Sequence, residues 1–319
     1  MKSLSMHKQN LKTKLLENAV SIILVAFVVF MIFAKRSFST WDNICNIINE
    51  CSVYGITACA MTVAIICGEF DLSCASIFGG ATVLFCLCCN SIGIVAGFFV
   101  TLLAGGIIGV LNGVLVSKVR MPAFVVTLAT MLSVKGLAYV VTNAQPVNTD
   151  NATLYAISKF NVGGITIAPI VFALVLILFI WLMKYTKFGR DIYATGGNYE
   201  VARLSGINVE FCKFIIFVIL GVCAALSGVM YCSRIMAGWA PYGNDLALWC
   251  VAATVIGGTS LMGGSGGMSK TIIGVLLMAI LFNALTLLGV SGSMQKFVRG
   301  LVLIVVIMLD AIAHQKQKA

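Results

Sequence analysis

Residues 257–270 read GGTSLMGGSGGMSK, six glycines and a closing lysine in fourteen positions. As a phosphate-cradling loop this stretch would make the chain a nucleotide-binding protein; as a break between two membrane helices it belongs to a different fold. A Walker-type loop needs G-x-x-x-x-G-K-[ST], the lysine directly after the last glycine, so that backbone N–H groups wrap the phosphates. Here Met268 and Ser269 separate Gly267 from Lys270, and Thr271 follows. The dinucleotide pattern G-x-G-x-x-G fails as well, because Gly264-Ser265-Gly266 is followed by Ser269 where the third glycine belongs.

The flanks decide the matter. The chain is 60% apolar and 10% charged, with a mean hydropathy of +1.05, which excludes an ordinary soluble domain. Ten apolar runs fall at about 18–34, 44–67, 72–90, 92–116, 123–142, 166–184, 213–236, 248–262, 271–289 and 296–314. Each is close to the ~20 residues a helix needs to cross ~30 Å of hydrocarbon. The expected fold is therefore all-α: a polytopic membrane protein with about ten transmembrane helices, some discontinuous. An N-terminal tail (1–17) and a C-terminal tail (315–319) flank a single transmembrane domain over 18–314. The longest pieces outside the spans, 143–165 and 185–212, cannot build a core of their own, since domains need ~50 residues or more. Any soluble catalytic domain has to come from another chain.

The first run follows Lys2, Lys8, Lys12 and Lys14, but MIFAKRS offers no small-x-small cleavage site, so it reads as a retained span. With the N-terminus inside, fourteen lysines and arginines fall on the inner face and six on the outer. That bias places both termini in the cytoplasm. The net charge of +10 reflects this and the anionic inner leaflet rather than nucleic acid, because no basic stripe interleaved with aromatics occurs. Most of the twelve cysteines, among them Cys86, Cys88 and Cys89 in LFCLCCN, sit in apolar runs and read as small polarisable packing residues. No Cys/His grid with zinc spacing exists, His7 and His314 lie in the tails, and no metal site is expected. Nor is there an enzyme's constellation of nucleophile and base.

The opening stretch then falls at the inner end of the eighth span. Gly257 and Gly258, with Thr259 and Ser260, let the backbone leave helical geometry there. Such a break is tolerated at membrane depth only where protein covers it or it lines a water-filled path; the alternative is a flexible inner loop. A second break, IICGEFDLSCAS at 65–76, places Glu69, Asp71 and Ser73 between the second and third spans. Acids at membrane depth usually face the bundle interior or water. Asp71 fits two compatible roles, a pathway group or a cap accepting bonds from the first N–H groups of the third span. The second and eighth spans descend in the same direction and both end in a glycine-polar break, the pattern of a parallel internal repeat.

The largest inner loop, 185–212, reads YTKFGRDIYATGGNYEVARLSGINVEFC. Gly196 and Gly197 free the backbone, Asn198 caps, Tyr199 to Ser205 make two helical turns, and Gly206 ends them. The outcome is a short helix across the inner mouth, with Glu200 and Arg203 three apart on one face and Ala202 small enough for a partner to approach. A merely solvated connecting helix is the competing reading.

TKFGRDIYATGGNYEVARLSGI resembles the coupling segment of membrane permeases in ATP-binding-cassette monosaccharide importers, the ribose, arabinose, galactose and xylose group. The resemblance runs almost end to end: GEFDLS, LNGVLVSKVRMPAFVVTLATM with Asn112, Pro122 and Thr127, then KGLAYVV, VIGGTSLMGGSGG and VRGLVLIVVIMLD. FDLS-x-AS and TLATM with GLAY lean toward arabinose-type members. The resemblance implies a multi-pass permease subunit in a bacterial inner membrane, paired with a second copy or a related permease. It also implies two cytoplasmic ATPase subunits, which bind the ATP and Mg²⁺, and an extracytoplasmic sugar-binding protein. This chain then holds no cofactor of its own. Gly197, Asn198, Glu200, Ala202, Arg203 and Gly206 dock on the ATPase, while Glu69, Asp71, Ser73, Asn112, Thr127, Gly257, Gly258, Thr259 and Ser260 belong to the path or its helix breaks. One departure stands out: where the family commonly carries a tyrosine-glutamate-leucine motif, this chain has Leu246, Ala247, Leu248 and Trp249, and Asp245 lies two positions too early. The rival function is an ion-coupled secondary transporter of small polar solutes, for which Glu69 and Asp71 are nearly the only buried acids at hand.

Overall fold

The computed structural model describes residues 19–318, so the expected tail at 1–17 lies outside the described residues. Thirteen α-helices follow one another among the described residues: α1 (Ala19–Ala34), α2 (Trp41–Ile66), α3 (Cys74–Ser91), α4 (Ile94–Ser117), α5 (Ala123–Thr142), α6 (Ala152–Lys159), α7 (Ile167–Tyr185), α8 (Lys187–Gly197), α9 (Tyr199–Leu204), α10 (Val209–Ile235), α11 (Leu246–Ile256), α12 (Met268–Leu287) and α13 (Gly292–Lys318). Two-residue strands β1 (Val147–Asn148) and β2 (Ala237–Gly238) pair antiparallel, Val147 opposite Gly238.

Seven helices, α2, α3, α4, α5, α7, α10 and α12, are long and apolar enough to cross a membrane. The three remaining expected spans coincide with α1 (16 residues), α11 (11 residues) and α13 (27 residues). Helices are the natural form for such sequences, because a chain in hydrocarbon must satisfy its backbone N–H and C=O groups internally.

Helix α2 is the axis of the bundle, with every residue from Gly55 to Ile66 buried. Helix α11 runs beside it in the same direction. The rings of Tyr54 and Trp249 lie 5.2 Å apart, the hydroxyls of Thr62 and Thr254 are 3.2 Å apart, and the Gly264 N–H reaches the Ile66 carbonyl at 2.7 Å, so contacts advance together along both chains. Helix α12 runs the other way, Thr271 meeting Thr62 at 2.9 Å and Asn283 donating to Asn43 at 2.8 Å. Helices α4 and α10 pack through small residues: a β-carbon on Gly105 would fall on the Gly221 carbonyl and on Ala225. Close approach of this kind supplies van der Waals packing where lipid removes any hydrophobic drive between helices.

The eighth span corrects the sequence reading. The run expected at 248–262 is helical only to Ile256, and the helix is preceded by the short strand β2 and a 3₁₀ turn over Ala240–Gly243. Residues 237–244 run along α3 inside the bundle, where the Trp239 N–H bonds to Thr82 Oγ1 at 3.1 Å and Gly243 lies on the Ala75 carbonyl. Pro241 opens a single 3₁₀ turn there and lacks the N–H a continuous helix would use. The span is thus a half-helix with a non-helical lead-in whose Ala237, Gly238, Ala240 and Gly243 are buried, as backbone outside a helix requires at membrane depth.

Candidate functional site

Helix α2 ends on three reaching-back bonds: Cys67 N–H to the Val63 carbonyl (3.1 Å), Gly68 N–H to Ile65 (2.9 Å) and Glu69 N–H to Ala64 (2.9 Å), with Gly68 at φ +83°. Helix α11 ends identically, by Gly257 to Ala253 (2.9 Å), Gly258 to Val255 (2.8 Å) and Thr259 to Thr254 (3.2 Å), with Gly258 at φ +86°. This left-handed glycine cap satisfies carbonyls a helix end leaves orphaned, and only glycine adopts its φ without strain. The two breaks therefore share backbone geometry as well as direction, as an internal repeat requires.

Past the first break the chain turns back into the bundle. Glu69 is nearly buried, and Asp71 and Ser73 are fully so. Asp71 Oδ1 accepts from the Ser73 N–H (2.7 Å) and the Ser73 hydroxyl (2.5 Å). Asn112 on α4 donates from Nδ2 to Ser73 Oγ at 2.8 Å, and Thr130 on α5 donates to Asn112 Oδ1 at 2.7 Å. Four buried polar residues from three elements thus form one network, and Asp71 Oδ2 is left without a hydrogen-bond partner. The capping expectation needs adjusting: Ser73, not Asp71, occupies the cap position of α3, and Asp71 orders the turn leading into it. Thr127 is buried but bonds the Ala123 carbonyl of its own helix at 2.8 Å, so Thr130, unmarked in the sequence reading, joins the network in its place.

Past the second break, Met262 N–H bonds the Ser260 hydroxyl at 3.1 Å and the Ser260 N–H bonds the Ser265 carbonyl at 3.2 Å. Thr259 is buried, its Oγ1 without a hydrogen-bond partner. Above both breaks the hydroxyls of Thr62, Thr254 and Thr271 tie α2, α11 and α12 together, a cluster no local motif announces.

The short helix expected over 199–205 is α9. Asn198 caps it, its side chain accepting from the Val201 N–H at 3.0 Å, and Gly206 at φ +81° closes it with the same glycine cap as the two breaks. Glu200 and Arg203 pair at 3.1 Å on its exposed side. Two details differ from expectation. Ala202 is buried against its own chain, and the apolar groups α9 presents to solvent are Val201 and Leu204, the latter 81% exposed. Gly196 and Gly197 do not loosen the chain but complete the last turn of α8, where Gly196 lies directly on the Ile66 carbonyl with no room for a β-carbon.

That contact makes the region one junction. The end of α8 touches the end of α2, the Gly264 N–H donates to the same Ile66 carbonyl, and the Tyr193 hydroxyl of α8 donates to the Gly266 carbonyl at 3.0 Å. Burial pushes the Tyr193 phenol above its ordinary value, which keeps it a neutral donor. Lys213 of α10 forms an ion pair with Glu69, and its ammonium lies 5.3 Å from the centre of the Tyr199 ring. Beside it Arg120 pairs with Glu210 at 3.0 Å, and that carboxylate holds the guanidinium above its ordinary value. A cavity of about 390 Å³ opens between these groups.

Midway along α2 the rings of Tyr54, Phe78, Tyr231, Tyr242 and Trp249 form a chain of contacts with centroids 5.2 to 6.5 Å apart. Trp249, at the departure noted above, is thus a packing residue, while Asp245 pairs with Arg299 at 2.8 Å. Among the described residues no group of three or more His, Cys, Asp or Glu is arranged to hold a metal ion, and all twelve cysteines are free and buried.

The sequence profile of the family described as branched-chain amino acid transport system, permease component, matches residues 43–307. The ribose import permease protein RbsC of Haemophilus influenzae is 36% identical over 281 residues, covering 85% of each chain. The L-arabinose transport system permease protein AraH of Escherichia coli is 36% identical over 270 residues, 83% of this chain and 80% of its own. The Bacillus subtilis ribose import permease protein RbsC is 35% identical over 266 residues, 82% of each. No solved structure matches the chain.

Proposed function

Because the chain belongs to the branched-chain amino acid transport system permease component family, we propose that it is the membrane-spanning subunit of an ATP-binding-cassette importer for a monosaccharide, a pentose or hexose. It forms the translocation path and hydrolyses nothing itself. ATP and Mg²⁺ are bound by two cytoplasmic ATPase subunits, an extracytoplasmic binding protein delivers the sugar, and a second copy or a related permease completes the pair. Both termini and α9 face the cytoplasm of a bacterial cell.

One observation carries this reading beyond the names of the relatives. A capped two-turn helix presents Val201, Leu204 and the Glu200–Arg203 pair outward while its supporting helix α8 stands on the junction of the two breaks. A motor gripping α9 has a short rigid route to both discontinuous spans, and rigid-body rocking of such spans is how transporters alternate access. One of the two acids at the first break also fits an external motor: Glu69 is committed to Lys213.

The test is reconstitution in sealed vesicles with the cassette ATPase and sugar-binding protein encoded beside this chain. Labelled ribose, arabinose, xylose and galactose are offered in turn. ATP-dependent accumulation of one of them that requires all the components is the expected result. Accumulation by the lone chain on a proton or sodium gradient, without nucleotide, overturns the reading in favour of secondary transport.

A further inference from the structure

We propose that Glu69 and Lys213 form the latch through which movement of α9 reaches the first helix break, acting as positioning residues rather than as part of the sugar's own contacts. The inference rests on the functional reading above. Three observations meet here. Lys213 is held between two elements: its ammonium pairs with the Glu69 carboxylate and lies over the face of Tyr199, the first residue of α9. A cation attracted by a ring face and by a carboxylate at once transmits displacement of either. Glu69 cannot follow freely, because its own N–H is the far donor of the glycine cap on α2. A pull on its side chain is therefore a pull on the cap, and two residues on lies Asp71, whose carboxylate holds Ser73 and, through it, Asn112 and Thr130.

The surroundings give the pair both a reason to stay closed and a direction in which to open. Side-chain exposure is 9% for Glu69 and 25% for Lys213, so parting them strands a shielded carboxylate, which is costly. The adjoining cavity of about 390 Å³, also walled by Arg120, Tyr199 and Glu210, is space into which Lys213 can swing. A second link, the backbone contact of Gly196 with Ile66, joins α8 to the same break. The ion pair is the part that side-chain chemistry can open and close.

The experiment compares wild type, Glu69→Gln, Lys213→Met and Lys213→Arg. Each is reconstituted with the ATPase and binding protein, and sugar delivered per ATP hydrolysed is measured alongside co-purification of the ATPase. Glu69→Gln and Lys213→Met are expected to lower sugar per ATP at least tenfold with the ATPase still bound, and Lys213→Arg, which keeps a cation between the carboxylate and the Tyr199 ring, to retain most of it. A merely structural defect would lower assembly and uptake together, whereas loss of the latch lowers sugar per ATP while the ATPase stays bound. Should the buried variants fail to accumulate, Tyr199→Leu and Tyr199→Phe, at the accessible end of the relay, serve instead: Leu lowers the ratio and Phe, which keeps the ring face, does not. Glu69→Gln or Lys213→Met coupling like wild type, or Lys213→Arg coupling no better than Lys213→Met, overturns the latch alone. A wild-type assembly without ATP-dependent uptake overturns the functional reading with it.

Discussion

Asn112 stands where three elements meet, and both ends of its amide are engaged: Nδ2 donates to Ser73 and Oδ1 accepts from Thr130. Thr130 and Thr127 lie one turn apart on α5, yet their hydroxyls do different things. Replacing Thr130 with valine leaves the Asn112 carbonyl oxygen buried without its donor, a loss of about 1–3 kcal/mol. Thr127→Val removes only a bond to the carbonyl one turn back on its own helix, and a change of about 0.5 kcal/mol, the low end of what one hydrogen bond contributes, is expected. Thermal unfolding in detergent ranks the two: Thr130→Val melts clearly below wild type and Thr127→Val close to it, and the opposite order refutes the network. The sequence marks Asn112 and Thr127 through their resemblance to a family motif, but nothing local singles out Thr130. Its role exists only once α5 is laid against α4 and the break, and that is a tertiary fact. Asn198 is the opposite case, because a cap needs only a polar side chain three residues before the N–H it binds, which a linear reading can supply.

Among the elements, α9 was legible almost to the residue, because capping chemistry at both ends is local: Asn198 at the start, Gly206 in the left-handed region at the end. What the string of letters left open was which way the helix faces. It offered Ala202 as the point of approach, whereas Ala202 is buried and Leu204 and Val201 face out. Leu204→Glu is accordingly expected to change stability by about 0.5 kcal/mol or less, as at an ordinary surface site, while abolishing capture of the ATPase on an affinity column. Unchanged melting with unchanged capture would remove α9 from the docking surface. Helix α11 shows the converse failure. Hydropathy counts apolar residues without regard to their depth, so it extended the eighth span through Gly257 and Gly258 into the loop. It also missed that residues 237–244 lead into that helix as a short extended piece and a 3₁₀ turn lying on α3. Pro241 and Gly243 were the available signals, and both fall just before the apolar run.

At the scale of the molecule, the broad plan was written in composition: ten apolar runs that each coincide with a helix, seven of those helices long and apolar enough to cross a membrane, and two breaks whose kinship the glycine-polar wording announced. Less visible was that the breaks converge. The glycine loop of the second break closes on the end of α2 through one acceptor, the Ile66 carbonyl, which also abuts α8 at Gly196. A helix carbonyl stripped of its partner at that depth has to be rehydrated, so the loop cannot swing away dry. Each opening of the junction draws at least one water molecule to Ile66, and the Gly264 amide hydrogen, released at the same moment, becomes exchangeable. In deuterated buffer that hydrogen should persist in the resting protein and wash out during ATP turnover, making one glycine amide a clock for the gating cycle.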